Sequence, residues 1–449
     1  MTSQALIVRS EAPMETRLPF VVAASTIGTL LAWYDFYLYG ALATFFAAKF
    51  FPAESGLAWF AVLGLVGTGF VVRPAGAVVF GYLGDRVGRK YALSLTLLMI
   101  GTTTVGVGLL PGYGTLGLSA PVLLVLLRVI QGLALGGEYG GAAIYVAEHA
   151  PDGKRGLYTS WVQTTATAGI VLALLAILLC RAGIGEQRFD AWGWRVPFLL
   201  SAALVPVAIY LRLRFAEPPL YDRLKEHNKA SSDPLRDSLA GWGNWRLMLL
   251  ALFGAAAPEA VVWYAGQFYA LYYLQAVLKV PEVMVWVVTI VALSLGLPLF
   301  VAFGALSDRI GRRNIMALGF LLAAVSLWPV FALLGTFKDN PVVLTLLVFY
   351  LTVLAALAYG PMAALLVELF PTRIRYTSVS LPYQIGNGVF GGLVPLAAAL
   401  GGAGRGGLLY PIGIAALGVA VATAWLPARS DEADISPEVG QPRLPAPKP

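Results

Sequence analysis

Three observations predict an all-α membrane protein of about twelve transmembrane helices arranged as two parallel six-helix halves. Composition is the first: mean hydropathy is +0.76, with 58% hydrophobic and only 12% charged residues, whereas soluble domains carry about 25% charge. A series of apolar stretches of about 20 residues or more, each long enough to cross the hydrocarbon layer as a helix, is the second. The third is a duplicated charged loop. GYLGDRVGRK at residues 81–90 returns as GALSDRIGRR at 304–313, each copy between two long apolar segments.

The apolar stretches begin near Leu18, Leu57, Lys90, Ser119, Gly156 and Trp194, then near Arg246, Val283, Arg313, Asn340, Tyr376 and Gly406. A polar connection at 215–245 separates the two sets, so residues 18–214 form an N-terminal bundle and 246–427 a C-terminal bundle, with tails at 1–17 and 428–449. Glu148-His149-Ala150-Pro151, followed by Arg155 and Tyr158-Thr159-Ser160, is echoed by Glu368-Leu369-Phe370-Pro371, Arg375 and Tyr376-Thr377-Ser378. Both echoes recur at an offset of about 220 residues, as a fixed-period repeat requires.

Basic residues in short loops resist translocation. With both termini inside, about 22 of the 31 Lys and Arg residues fall on the cytosolic side, Arg212 among them, and about 7 outside; Arg73 and Arg128 remain within the membrane. The net charge of +7 therefore marks a cytosolic face, and nucleic-acid binding is not expected. The first apolar segment is too long for a signal-peptide core and contains Asp35, so no cleaved signal is expected. One cysteine and two histidines, away from any ligand cluster, argue against a disulfide or a metal site. No phosphate-cradling motif occurs, so no nucleotide or other cofactor is expected and energy must come from a solute or ion gradient.

Parallel six-helix halves related by an axis along the membrane normal are the arrangement of the major facilitator transporters. Within that superfamily the chain resembles the metabolite:proton symporters. The resemblance rests on Trp33-Tyr34-Asp35-Phe36 in the first span, Arg73-Pro74-Ala75-Gly76 in the second, and Arg128-Val129-Ile130-Gln131-Gly132 with Gly136-Gly137-Glu138-Tyr139-Gly140-Gly141 in the fourth. It implies the major facilitator fold and transport by alternating access. Family members commonly carry Glu three residues before the first-span Asp; this chain has Ala32. Any share of that acid in proton handling, or in holding a cationic group, is absent or moved here.

An ionisable group at mid-membrane costs several kcal/mol unless paired or hydrated, so each is a functional candidate. Asp35 lies about 22 Å above the inner start of its helix and Arg128 about 14 Å below the outer start of its own, which brings them to similar depth. They are read as a proton switch in which Asp35 carries the proton and Arg128 competes for it; a static ion pair is the other reading. Arg73 and Glu138, each about 15 Å from the inner face, are expected to form a second buried charge pair. Substrate contacts are expected from Tyr34 and Gln131, from Gln163 on a Ser160, Gln163, Thr164, Thr167 stripe, from Glu259, Trp263 and Gln267, and from Tyr383, Gln384 and Asn387. Each stripe can equally be interhelical glue. In the resembling family the duplicated loop latches the two halves on the cytosolic side. The resemblance thus implies a gate of Gly84, Asp85, Arg86, Gly88 and Arg89 with Asp308, Arg309, Gly311 and Arg312, although Ser307 replaces the glycine of the first copy. The alternative is solvated turn charges that set topology alone.

The reading that follows is a proton-coupled importer of a small organic acid in a bacterial inner membrane, a monomer in the lipid bilayer that handles protons and a small-molecule substrate. A symporter of zwitterionic compatible solutes, a proton-coupled exporter, a passive channel and a membrane sensor are the rivals. No constellation argues for an enzyme.

Overall fold

The structure is a computed structural model. It describes residues 18–51, 69–214, 217–218, 221, 231, 233–239, 241–395, 397 and 405–427; the two expected tails and most of the linker lie outside these. Among the described residues there is no strand. The principal helices are α1 (Leu18–Ala41), α2 (Arg73–Arg86), α3 (Arg89–Leu109), α4 (Ser119–His149), α5 (Arg155–Ile184) and α6 (Arg195–Leu213). They continue with α7 (Trp242–Val277), α8 (Glu282–Ile310), α9 (Arg312–Thr336), α10 (Pro341–Leu369), α11 (375–391) and α12 (Gly406–Trp425). Among the described residues ten are long and apolar enough to cross a membrane; α2 and α11 are described over part of their apolar segments.

Local chemistry sets several boundaries. Asn340 accepts hydrogen bonds from the backbone N–H of Val342 and Val343 at 3.1 and 3.2 Å, with Pro341 in the first turn, a strong start signal for α10. Gly88 (φ +152°) and Gly311 (φ +95°) make the reversals after α2 and α8, backbone that side-chain-bearing residues rarely adopt. The outer surface carries Leu126, Leu179, Leu295, Val325 and Leu346 exposed, as a bundle facing lipid tails requires.

Within the first half α1 packs on α5 and α6, and α3 on α4 and α6; within the second, α8 packs on α10 and α9 on α12. The halves meet along α5–α8 and α2–α11, two seams related by the internal repeat. α7 and α11 contain wider i→i+5 turns, at Leu252–Ala256, Tyr264–Tyr269 and Tyr273–Val277 and at Gly386–Gly391. Such turns often mark functional positions, and here they flank Glu259 and contain Asn387.

Candidate functional site

Asp35 is fully buried in the first half. Its Oδ2 accepts from Thr104 Oγ1 of α3 at 2.6 Å and its Oδ1 from Ser201 Oγ of α6 at 2.8 Å. Arg128 donates to Gln131 Oε1 at 2.6 Å, and Gln131 Nε2 donates to Thr104 Oγ1 at 3.2 Å. Acid and base are therefore joined through two intervening side chains, a correction to the direct pair that equal depth suggested. The Arg128 guanidinium rests on Phe36 and Tyr39, 4.6 and 4.2 Å from their ring centres. Hydroxyls accept as well as donate, so the groups around Asp35 can hold it either charged or protonated.

Glu138 does not pair with Arg73. Its carboxylate takes both forks of Arg212, together with hydrogen bonds from Thr29 at 3.2 Å and Thr96 at 2.7 Å. Arg212, assigned from sequence to the cytosolic side, is fully buried. The reason is geometric: Cα–Cβ bonds tilt toward a helix N-terminus, so a long side chain near the end of α6 runs back into the bundle. Arg73 turns instead into an aromatic cup, 4.3 Å from the ring centre of Phe36, 4.8 Å from Phe70 and 5.4 Å from Trp33. Its Nε donates to Gly69 O at 3.1 Å.

Most of the expected substrate residues lie where the halves meet. Gln163 Nε2 donates to Tyr359 O at 2.9 Å, Thr167 Oγ1 to Gln267 Oε1 at 3.0 Å, and Gln384 Nε2 to Leu135 O and Gly136 O at 2.9 and 3.1 Å. Trp263 stacks on Tyr37 at 5.8 Å between ring centres and Tyr383 on Tyr139 at 3.5 Å, with Tyr359 and Tyr383 hydroxyls 2.8 Å apart. Two aromatic layers thus cross the central seam at different depths. Glu259, fully buried, receives Asn387 Nδ2 at 3.4 Å. Two residues fall elsewhere: Tyr34 donates to Pro197 O at 2.8 Å within the first half, and Gln131 belongs to the Asp35 relay. Sequence reasoning passed over Thr104, Ser201, Tyr139 and Tyr359, whose types alone do not distinguish them from interhelical glue.

The duplicated loops are related by their partners as well as their sequences. Asp85 accepts from Tyr376 N (3.1 Å), Thr377 N (2.9 Å) and Thr377 Oγ1 (2.9 Å) in the first turn of α11. Asp308 accepts from Gly156 N and Leu157 N, both 2.9 Å, in the first turn of α5. Each acid caps a helix of the opposite half, where the N-terminal dipole favours an anion. Arg89 pairs with Glu148 and donates to Thr372 O at 3.0 Å across the seam; Arg375 reaches the same Glu148 at 2.7 Å. Arg312 holds Glu368 at 3.2 Å and Asp308 at 2.5 Å. A Cβ on Gly84 would run into the Tyr376 ring, while Ser307 at the equivalent position accepts from Arg312 at 3.0 Å. Arg86 and Arg309 are exposed, Arg86 lying on its own Tyr82. Glu217, which the sequence did not single out, caps α3 by accepting from Arg89 N and Lys90 N at 3.1 and 3.2 Å.

Two related helical halves, clasped reciprocally on one face and enclosing buried charges along their seam, define a polytopic membrane transporter. The chain matches the Major Facilitator Superfamily model over residues 25–395 and belongs to that superfamily. It is 37% identical to the inner membrane metabolite transport protein YhjE of Escherichia coli strain K12, over 84% of this chain and 87% of that one. It is 33% identical to the citrate-proton symporter of Salmonella typhi (82% and 84% covered) and 36% identical to the glycine betaine/proline/ectoine/pipecolic acid transporter OusA of Dickeya dadantii strain 3937 (85% and 77% covered). Among solved structures, the proton:xylose symporter XylE with bound 6-bromo-6-deoxy-D-glucose superposes with a TM-score of 0.72 at 19% identity, covering 90% of this chain and 94% of that one; that likeness concerns the fold.

Proposed function

We propose that this protein imports a small organic acid together with protons, by alternating access, as a monomer in a bacterial inner membrane with both termini and the two duplicated loops in the cytosol. The observation that carries the reading is Asp35, a fully buried acid held by hydroxyls and linked to Arg128 through Thr104 and Gln131. Such a group can exchange a proton when the helices around it shift, which a locked ion pair cannot. Coupling to protons also suits an anion, because an inside-negative potential opposes each negative charge by about 2.3 kcal/mol per 100 mV. The citrate-proton symporter among the relatives supports an organic acid.

A second reading, a zwitterionic compatible solute, is favoured by Glu259, a buried acid available to an amine or quaternary ammonium group, and by the betaine and proline relatives. Reconstitution into liposomes tests both. An imposed proton gradient should drive accumulation of a carboxylate, and Asp35→Asn should abolish accumulation while sparing exchange. Equal accumulation by the variant rejects Asp35 as the coupling group, and accumulation of betaines alone selects the second reading.

A further inference from the structure

We infer that Arg73 is the seat for a carboxylate of the transported solute, in a cleft that Ala32 keeps open. The inference deepens the organic-acid reading, naming the residue that would hold the acid.

Arg73 is 1% exposed, and among the described residues its guanidinium contacts no carboxylate. Two buried acids of the first half are already occupied, Glu138 by Arg212, Thr29 and Thr96, and Asp35 by Thr104 and Ser201. One terminal nitrogen, Nη2, has no hydrogen-bond partner. A buried guanidinium nitrogen left without an acceptor is costly; the Phe36, Phe70 and Trp33 rings supply polarisability but no lone pair, and the Tyr264 hydroxyl, which also faces Arg73, is a neutral partner that leaves the charge unbalanced. The Arg73 side chain lines a cavity of about 10 Å³ together with Ala32, Trp33, Glu138, Tyr139 and Gln384. Gln384 Oε1, buried, likewise lacks a partner. Two side chains with an unanswered polar atom, Arg73 and Gln384, thus line one void, which points to a ligand group rather than to packing.

The void is small, with room for about one water, because α11 closes over it. Gln384 belongs to the second half while Ala32, Arg73 and Glu138 belong to the first, so the wall formed by Gln384 departs when the halves rock apart. Ala32 is the smallest side chain lining the first-half wall, and a carboxylate introduced there would meet Arg73 before any solute could.

The test is binding to the purified full-length protein, read by calorimetry and thermal unfolding, with succinate, citrate, benzoate, glycine betaine and xylose as probes. Arg73→Gln and Ala32→Glu should each weaken binding of whichever carboxylate the native protein takes by on the order of 100-fold, the usual cost of removing one partner of a buried charged contact. Arg73→Lys should fall between. Comparing the unfolding temperatures of Arg73→Gln, Arg73→Lys and Ala32→Glu separates loss of the seat from loss of the fold, since the conservative Arg73→Lys keeps the charge and the packing. Binding within threefold of native in both Arg73→Gln and Ala32→Glu overturns the inference, and so does a native protein that takes only xylose or none of the probes. If glycine betaine alone binds and is lost in both variants, the Arg73 seat stands and the organic-acid reading fails.

Discussion

Asp35 and Arg128 are connected at second hand: Thr104 Oγ1 sits 2.6 Å from the acid, and Gln131, 2.6 Å from the base, closes the chain at 3.2 Å. Thr104 is the link that joins the acid to Gln131. Thr104→Val keeps the shape and removes the hydroxyl. Proton-driven uptake should fall about tenfold relative to solute exchange, the scale of one buried hydrogen bond to a charged group, and Thr104→Ser should restore it. The ratio of the two fluxes in liposomes is the measurement; an unchanged ratio removes Thr104 from the coupling path.

Breaking a buried ion pair by deleting one partner costs about 3–5 kcal/mol, whereas replacing both can be nearly neutral. Arg212→Met should therefore lower the unfolding temperature in detergent sharply, since Glu138 would be left charged among Thr29, Thr96 and apolar neighbours. Glu138→Met combined with Arg212→Met should recover much of the loss. If the double variant is no more stable than the single, the pair serves something other than charge balance.

The two seams are not equally fastened. Asp85 accepts three hydrogen bonds and is fully buried, and Glu148 on the same seam is bonded across the halves by Arg375. The counterpart Asp308 accepts two bonds across the seam, its third coming from Arg312 of its own half, while Arg155, at the position equivalent to Arg375, pairs with exposed Asp152 of its own half. Asp85→Asn should accordingly open the loop face more than Asp308→Asn, by roughly tenfold in the rate at which a maleimide reaches Ser380→Cys from that face, with Cys180 first replaced by Ser. A cap interaction of about 1 kcal/mol with its share of dipole stabilisation supports that size. Equal effects would show that the asymmetry in contacts carries no energetic weight.

What the sequence made legible was length, polarity and repetition, because these depend on the chain alone. Spans, paired loops and the depth of Asp35 follow from counting residues against a 1.5 Å rise. Direction around a helix axis does not. Arg73 and Glu138 stand at similar height, yet Glu138 points to Arg212 and Arg73 to Phe36 and Phe70. Arg212 was hidden for a related reason: a base near the end of a span reads as a surface charge until neighbouring helices show which way it runs. Thr104 and Ser201 carry no sequence signal, being hydroxyls among many in apolar helices.

Gly136 offers the last test, because its neighbours are backbone and cannot swing aside. A Cβ there would press on the Arg73 carbonyl and lie 2.7 Å from Ala77 N and from Gly76 Cα, so α2 would have to move off α4. Overpacking of this kind costs about 1–3 kcal/mol, and the shift would carry Arg73 with it. Gly413 in α12 has open space where a methyl group would sit, with nothing within 4 Å, and Ala there should be neutral or gain up to about 1 kcal/mol of helix propensity. Gly136→Ala should therefore lower both the unfolding temperature and carboxylate affinity, while Gly413→Ala lowers neither. If Gly136→Ala destabilises the bundle yet leaves affinity untouched, the close approach of α2 and α4 serves packing and does not position Arg73.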